Sequence, residues 1–226
     1  MKYLIYVLIL ALTFCASGFK KKKLLIRDQR IAIYSLEKNQ IRNNKYIEGK
    51  FIHPYTISAE KLTDIFGNLR FTKTTRINTF SDYIFHQEEL GEGLEDVAQA
   101  LENIDDTQVL VVLKITDHLK SVLSNFKRTT YFLWVDEFGL NIVFSEIQED
   151  LAKEKGLNFY DWTQVDEIKL DFKPDENQIA KEDYFTYKKV KGFNNRKWLI
   201  FSLEDLDRYR YKERAFSNSS SNNNDE

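Results

Sequence analysis

Few side chains in this 226-residue sequence have the types and spacing that catalysis or metal binding requires. The three histidines, His53, His86 and His118, lie more than thirty residues apart, and no pair has the spacing of a local metal site. No serine occupies a Gly-x-Ser-x-Gly elbow. Gly91-Glu92-Gly93 lies in an acidic stretch that would repel phosphate. We therefore predict no catalytic residue, metal site or cofactor.

The single cysteine, Cys15, ends a nearly continuous apolar run from Tyr3 to Phe14, which follows the positive charge of Lys2. A run of this length and polarity is typical of a secretory signal. The residues Leu12-Thr13-Phe14-Cys15 resemble a bacterial lipobox, with leucine three positions ahead of the cysteine. Because Phe14 stands where a small residue is usual, the resemblance is to the relaxed lipoboxes of spirochaetes. It implies that Cys15 is acylated and becomes the mature N-terminus.

Two alternatives to acylation stay open. A signal peptidase could cut near Cys15-Ala16-Ser17 and release a secreted protein. Alternatively, Tyr3–Phe19 could be an uncleaved anchor, with Lys20–Lys23 holding the domain on the cytoplasmic side of the inner membrane. No second cysteine exists for a disulfide, so the folded domain must be stabilised by its core alone.

Composition predicts one ordered globular domain. The chain has 17 Phe, 12 Tyr and 3 Trp but only 8 Gly and 2 Pro, so a large core is available. Its net charge is −2, and −3 without residues 1–14, which argues against a nucleic-acid partner. We expect a signal peptide at 1–14, a lipidated cysteine and basic tether at 15–23, a globular domain at 24–216 and a disordered Ser/Asn-rich tail at 217–226.

Hydrophobic periodicity predicts an α+β fold, a single domain with a mainly antiparallel sheet and a few packed helices. The aliphatic run Val109–Ile115 predicts a central strand that is covered on both faces. Thr129–Asp136 and Leu140–Phe144 predict a hairpin with Gly139 at a positive-φ position of its turn. The other predicted strands are Leu24–Tyr34, Phe71–Thr79, Phe159–Phe172, Tyr184–Val190 and Lys197–Phe201, and the predicted helices are Ala59–Asn68 (capped by Ser58), Ser81–Asn103, Ser145–Lys155 and Ser202–Phe216.

Basic and aromatic residues alternate near the C-terminus and form the one candidate surface-binding patch. Such a pattern can stack on bases or sugars or contact anionic lipid, but it is also typical of an edge hairpin with aromatic side chains inward and lysines outward, which we favour. The candidate residues are Tyr187, Lys188, Lys189, Lys191, Phe193, Arg196 and Trp198.

The sequence thus predicts a lipid-anchored protein of the bacterial cell envelope, attached to a membrane by acyl chains on Cys15. We expect a non-enzymatic binding or structural component whose partner is a protein or another part of the envelope. The competing hypothesis is an envelope hydrolase whose site gathers scattered carboxylates around His53, His86 or His118. A pocket that holds one of these histidines beside acidic residues would favour the hydrolase.

Overall fold

The computed structural model describes residues 22–74, 78–117, 126–151, 162–163 and 177–214. Within these ranges the chain forms ten β-strands, two α-helices and four short 3-10 helices. In chain order the strands and α-helices are β1 (Lys23–Arg27), β2 (Ile31–Glu37), α1 (Ala59–Gly67), β3 (Arg70–Thr74), β4 (Thr79–Tyr83), α2 (Leu94–Asn103), β5 (Gln108–Asp117), β6 (Phe126–Asp136), β7 (Gly139–Asp150), β8 (Asn177–Ile179), β9 (Thr186–Val190) and β10 (Phe193–Phe201). The 3-10 helices are Lys38–Gln40, Asn44–Tyr46, Gln87–Glu89 and Leu206–Arg208.

Two antiparallel sheets organise the domain. The larger sheet has seven strands in the order β1-β2-β5-β6-β7-β10-β9, and the smaller has three in the order β4-β3-β8. In the larger sheet Leu110 of β5 is paired with Ser35 of β2 on one side and with Leu133 of β6 on the other. The α+β fold with a mainly antiparallel sheet that the sequence predicts is therefore confirmed.

The strands β5, β6 and β7 are apolar on both faces, and each face forms part of a separate core. Leu110, Val112 and Leu133 face a core completed by α1, α2 and the smaller sheet, which we call the helix face. Val111 and Trp134 point to the opposite side, the loop face, which the segment 38–52 and Trp162 cover. The prediction of a doubly covered strand at Val109–Ile115 is confirmed, because these residues are buried whichever way they point.

The first helix agrees with its prediction and the second does so only in part. The Ser58 hydroxyl caps α1 by accepting a hydrogen bond from the Lys61 N–H at 3.1 Å. The predicted helix Ser81–Asn103 is wrong over its first half, because residues 79–83 form β4 and pair with β3. The helix α2 begins only after Gly93, whose φ of 77° no continuing helix would accommodate.

The predicted hairpin is confirmed at β6 and β7, with Asp136 paired to Gly139. The predicted helix Ser145–Lys155 is wrong in its described part, because β7 continues to Asp150 and pairs there with Lys127. A bulge explains the error. The register shifts near Thr130, and Gln148 has a φ of 49°, so the side chains lose the two-residue alternation that identifies a strand.

Two segments that were predicted as single strands each overlap two strands of the structure. Leu24–Tyr34 turns at Asp28, whose N–H donates to the Ile31 carbonyl at 2.8 Å, and β1 pairs with β2 as a hairpin. Phe71–Thr79 covers most of β3 and only the first residue of β4. The strand β1 begins at Lys23, the last residue of the predicted tether.

The predicted terminal helix Ser202–Phe216 is wrong in its described part, which holds only the 3-10 helix Leu206–Arg208. The chain that follows lies along α1, where the Tyr211 N–H donates to Asp64 at 2.8 Å and the Asn68 amide donates to the Arg210 carbonyl at 2.9 Å. These bonds to α1 replace the bonds that a helix would have made within itself.

Several predictions fall outside the described residues. They concern Cys15 and the signal at 1–14, His118, the tail at 217–226 and all but two residues of the predicted strand Phe159–Phe172.

A substitution at the turn glycine of the β6–β7 hairpin would show how closely the strands pack. A methyl group on Gly139, which has a φ of 140°, would lie 2.1 Å from the Phe201 carbonyl oxygen. We expect Gly139→Ala to lower the free energy of unfolding by about 3 kcal/mol or more, from backbone strain together with displacement of β10. Urea unfolding followed by circular dichroism measures this. The control is Gly91→Ala, where a methyl group meets nothing within 4 Å, and an equal loss in both variants would contradict the account.

Candidate functional site

The candidate patch lies on the hairpin of β9 and β10 at one edge of the larger sheet. Its turn has two residues, Lys191 and Gly192, with φ values of 53° and 84°. Two successive left-handed residues between the paired Val190 and Phe193 are typical of a type I′ turn, whose twist matches that of the strands. The predicted strands Tyr184–Val190 and Lys197–Phe201 do pair as a hairpin, but β10 begins four residues earlier, at Phe193, so the tip is a two-residue turn.

One aromatic residue of the patch anchors the hairpin to the loop face. Trp198 is 1% exposed, its ring lies 5.4 Å from that of Trp134, and its indole N–H donates to Asn141 Oδ1 at 2.9 Å. A buried indole needs such an acceptor. Trp198 therefore contributes to packing and does not belong to an exposed binding surface.

Other residues of the patch anchor the hairpin to the helix face. The Tyr187 hydroxyl donates to the Ile179 carbonyl of β8, and burial raises the pKa of this phenol. The Arg196 guanidinium donates to Gln178 Oε1, also in β8, at 2.8 Å. Both contacts join the hairpin to the smaller sheet.

Lys188 forms an ion pair and a cation–π contact at the loop face. Its ammonium donates to Glu48 at 2.6 Å and lies 5.4 Å from the centre of the Phe138 ring. The hydrogen bond from Lys188 lowers the pKa of the Glu48 carboxyl. The seven predicted residues therefore do not form one surface, because strand alternation sends them to both sides of the sheet.

The exposed remainder is a smaller group, which we call the hairpin tip: Lys189, Lys191 and Phe193. Phe193 is 66% exposed, the largest value among the exposed large hydrophobic residues of the described chain, and both lysines are exposed. Residues 184–203 contain no aspartate or glutamate. Phe193 is paired with Val190 and Lys189 with Asn194, so Phe193 and Lys189 lie on opposite faces of the hairpin, with Lys191 in the turn. An exposed aromatic ring that follows a cationic turn can enter an apolar recess that acidic groups surround.

The two described histidines occupy different places. His53 Nε2 accepts a hydrogen bond from the Val135 N–H at 3.3 Å, and desolvation lowers the pKa of the imidazole to about 4 although Asp105 and Asp106 oppose this. A neutral imidazole that accepts a backbone hydrogen bond serves the packing of β6. His86 precedes the 3-10 helix that begins at Gln87.

A buried cation on the helix face was missed by the sequence interpretation. Lys114 is 4% exposed, and its ammonium donates to the carbonyls of Glu89 and Glu92, the latter at 2.9 Å. It also lies 4.0 Å from a carboxylate oxygen of Glu92. The signal was present, because a lysine inside a strand covered on both faces must find buried partners.

A small cavity adjoins this cation, bordered by Lys114, Glu92 and Tyr131 and by apolar side chains of the helix-face core. Its volume of about 10 Å³ is enough for roughly one water molecule. Neither of the two described histidines borders it. The cluster fastens the turn before α2 to the sheet, and the cavity is too small to admit an organic substrate.

Within the described ranges no group of three or more His, Cys, Asp or Glu side chains is arranged to hold a metal ion. Comparison with known proteins finds no match among protein-family models, curated proteins or solved structures.

The carboxyl of Glu89 makes the Lys114 cluster sensitive to pH. It is 9% exposed, its Oε2 has no hydrogen-bond partner among the described residues, and desolvation raises its pKa from 4.5 to about 6 despite the opposing charge of Lys114. The folded protein thus keeps this proton at pH values where the unfolded chain has lost it. Stability from this group is highest at low pH and declines as the pH rises from about 4.5 to 7.

We expect Glu89→Gln to remove this dependence, because glutamine has no proton to lose. Relative to wild type, its free energy of unfolding should rise by up to about 2 kcal/mol between pH 4.5 and pH 7.5. Denaturant titrations at both pH values measure the change. Glu88→Gln at the exposed neighbouring position is the control. If the free energy of unfolding of Glu89→Gln relative to wild type fell toward high pH, the raised pKa of Glu89 would be refuted.

Proposed function

We propose that this chain is a lipid-anchored component of a bacterial envelope with a non-enzymatic binding role, and that the hairpin tip binds its partner. The observation that carries the binding role is Phe193, which is 66% exposed and directly follows the two-residue turn Lys191-Gly192. The anchoring rests on the sequence Leu12-Thr13-Phe14-Cys15 after an apolar run.

The construction of the hairpin supports a binding role for its tip. Trp198 and Tyr187 fix the strands to opposite faces of the sheet, so an exposed ring two residues from the turn's start has a fixed position. Rigid presentation reduces the entropy that is lost when a partner binds.

The chemistry of the tip indicates the kind of partner. Five basic residues and no acidic residue lie between positions 184 and 203, and Glu48 pairs with only one of them, Lys188. A protein surface with acidic groups around an apolar recess would complement the tip in both charge and shape.

The position of the tip supports a partner away from the anchoring membrane. The chain enters β1 at one edge of the larger sheet, and β9 forms the other edge. Phe193 also lies at the opposite end of β10 from Phe201, which pairs with Leu140 next to the β6–β7 turn. A tether that ends at Lys23 therefore leaves the tip free to face outward.

Alternative hypotheses exist for how the chain is attached to the membrane. No helix among the described residues is long and apolar enough to cross a bilayer. An acylated Cys15, a released protein cut near Ala16 and an anchor at Tyr3–Phe19 each predict a different molecular species, so labelling together with membrane fractionation separates them.

Acylation predicts a direct chemical result. Wild-type protein expressed in bacteria should incorporate radiolabelled palmitate and fractionate with membranes, whereas Cys15→Ala should take up no label. Because Cys15 is the only cysteine, no other thiol can substitute for it. The control is Ser17→Ala, which should label like wild type. Label absent from the wild type, or equal in wild type and Cys15→Ala, would refute the lipid anchor.

The binding role predicts a site-specific crosslink. A photoreactive benzoylphenylalanine in place of Phe193 should yield a discrete protein adduct in cells, and adding Lys191→Glu in the adjoining turn should reduce the yield several-fold by removing charge attraction. The matched control places the same residue at Phe80 in β4, which is 46% exposed on the smaller sheet. No adduct at position 193, or the same adducts at both positions, would contradict a binding role for the tip.

A further inference from the structure

The opposite end of the larger sheet also exposes apolar side chains. Phe138, in the turn between β6 and β7, is 51% exposed, and Ile52 is 45% exposed. Ile52 lies directly beside this turn, because its N–H donates to the Val135 carbonyl at 2.8 Å and Phe51 bridges Asp136. Ile52 and Phe138 define what we call the tether end of the sheet.

Backbone pairing places the tether end where the chain enters the domain. Lys23 is paired with Ser35, which lies in register with Leu110 and then Leu133, three residues before Asp136. From Lys23 the strand β1 runs away from this end, so Lys22 and the start of β1 lie at the tether end. The hairpin tip lies at the other end of the same strands.

The length of the tether limits how far the domain can stand from an acylated Cys15. Lys22 is seven positions after Cys15, and a fully extended chain of that length reaches at most about 25 Å. From β1 to the β6–β7 turn is three strand spacings, about 14 Å. Ile52 and Phe138 are therefore within reach of the bilayer that holds the acyl chains, whereas the hairpin tip points away from it.

The charges at this end are of both signs. Lys188 is paired with Glu48, Glu137 lies beside Gly49, and Asp105 precedes β5. Lys22 and Lys23 also lie here, at the start of β1. Contact of Ile52 and Phe138 with lipid depends on the apolar area that enters the interface, and the lysines add attraction to anionic headgroups.

We infer that the tether end rests on the membrane to which Cys15 is anchored, with Phe138 and Ile52 in contact with lipid at the interface. The inference rests on the proposed acylation of Cys15. It adds an orientation, in which the strands stand away from the bilayer and the hairpin tip is the part farthest from it. The occupant of this apolar end is thus the membrane surface.

The test uses the lipidated full chain, purified from bacteria and reconstituted into phosphatidylcholine vesicles. Acylation occupies the sulfur of Cys15, so Phe138→Cys supplies the only free thiol, to which an environment-sensitive fluorophore is attached. Ile52→Cys is a second probe of the same end, and Phe193→Cys is the matched control at the opposite end. The vesicles contain lipid with a doxyl quencher at a shallow acyl position.

Fluorophores at positions 138 and 52 should lose about half or more of their emission, because interfacial side chains enter about 5–10 Å into the headgroup boundary. The fluorophore at position 193 should be unchanged. Quenching at 193 but not at 138, at all three positions alike, or at none would overturn the orientation. Palmitate labelling is read on the same preparations, so a chain that carries label yet shows no quenching at 138 refutes only the orientation, whereas a chain without label refutes the anchor.

Discussion

The constraint on which the structure depends is that the middle strands of the larger sheet are apolar on both faces. Leu133 and Trp134 are adjacent in β6, and both are completely buried on opposite sides. A sheet of this kind is stable only if something covers each face. Two helices and a smaller sheet cover one side, and an irregular segment around residues 38–52 covers the other. The remaining elements can be understood as these two covers and their connections.

Each cover is fastened to the sheet by a buried cation that donates to backbone carbonyls. On the helix face Lys114 donates to the carbonyls of Glu89 and Glu92 and so holds the turn before α2. Arg128 of β6 binds both carboxylate oxygens of Glu146 at 2.8 Å and donates to the Trp162 carbonyl at 3.1 Å. Charge-assisted bonds of this kind are stronger than those between neutral groups, and they fix the position of chain segments that have no regular secondary structure.

Sequence patterns predicted the parts of this fold that are governed by local rules. The β6–β7 hairpin and the strand at Val109–Ile115 follow from a glycine turn and from continuous aliphatic residues, which require no knowledge of distant contacts. The helix predicted at Ser145 is wrong because a bulge in β7 breaks the alternation of apolar and polar side chains. The segment is a strand all the same, because it pairs with β6. The helix predicted from Ser81 failed because β4 finds its partners in β3. Patterns within one segment do not contain such pairing information.

The candidate site also combines features that the local sequence predicts with features that only the fold determines. Basic and aromatic alternation identified the β9–β10 hairpin, but only the fold reveals that Trp198 is inside while Phe193 is exposed on the turn. The tether end was missed, because Ile52 and Phe138 are eighty-six positions apart in sequence and meet only through the pairing of Phe51 with Asp136. The membership of a surface is a property of the fold.

The placement of the aromatic side chains also has a spectroscopic consequence. Trp134, Trp162 and Trp198 are the chain's three tryptophans, and all of them contribute to the core of the loop face. Tryptophan fluorescence therefore reports on that side of the sheet alone, whereas far-ultraviolet circular dichroism reports on the whole backbone. The edge-to-face pair of Trp134 and Trp198, with ring centres 5.4 Å apart, is close enough for their electronic transitions to couple. A thermal melt followed by both signals distinguishes a domain that unfolds as one unit from one whose irregular cover separates first.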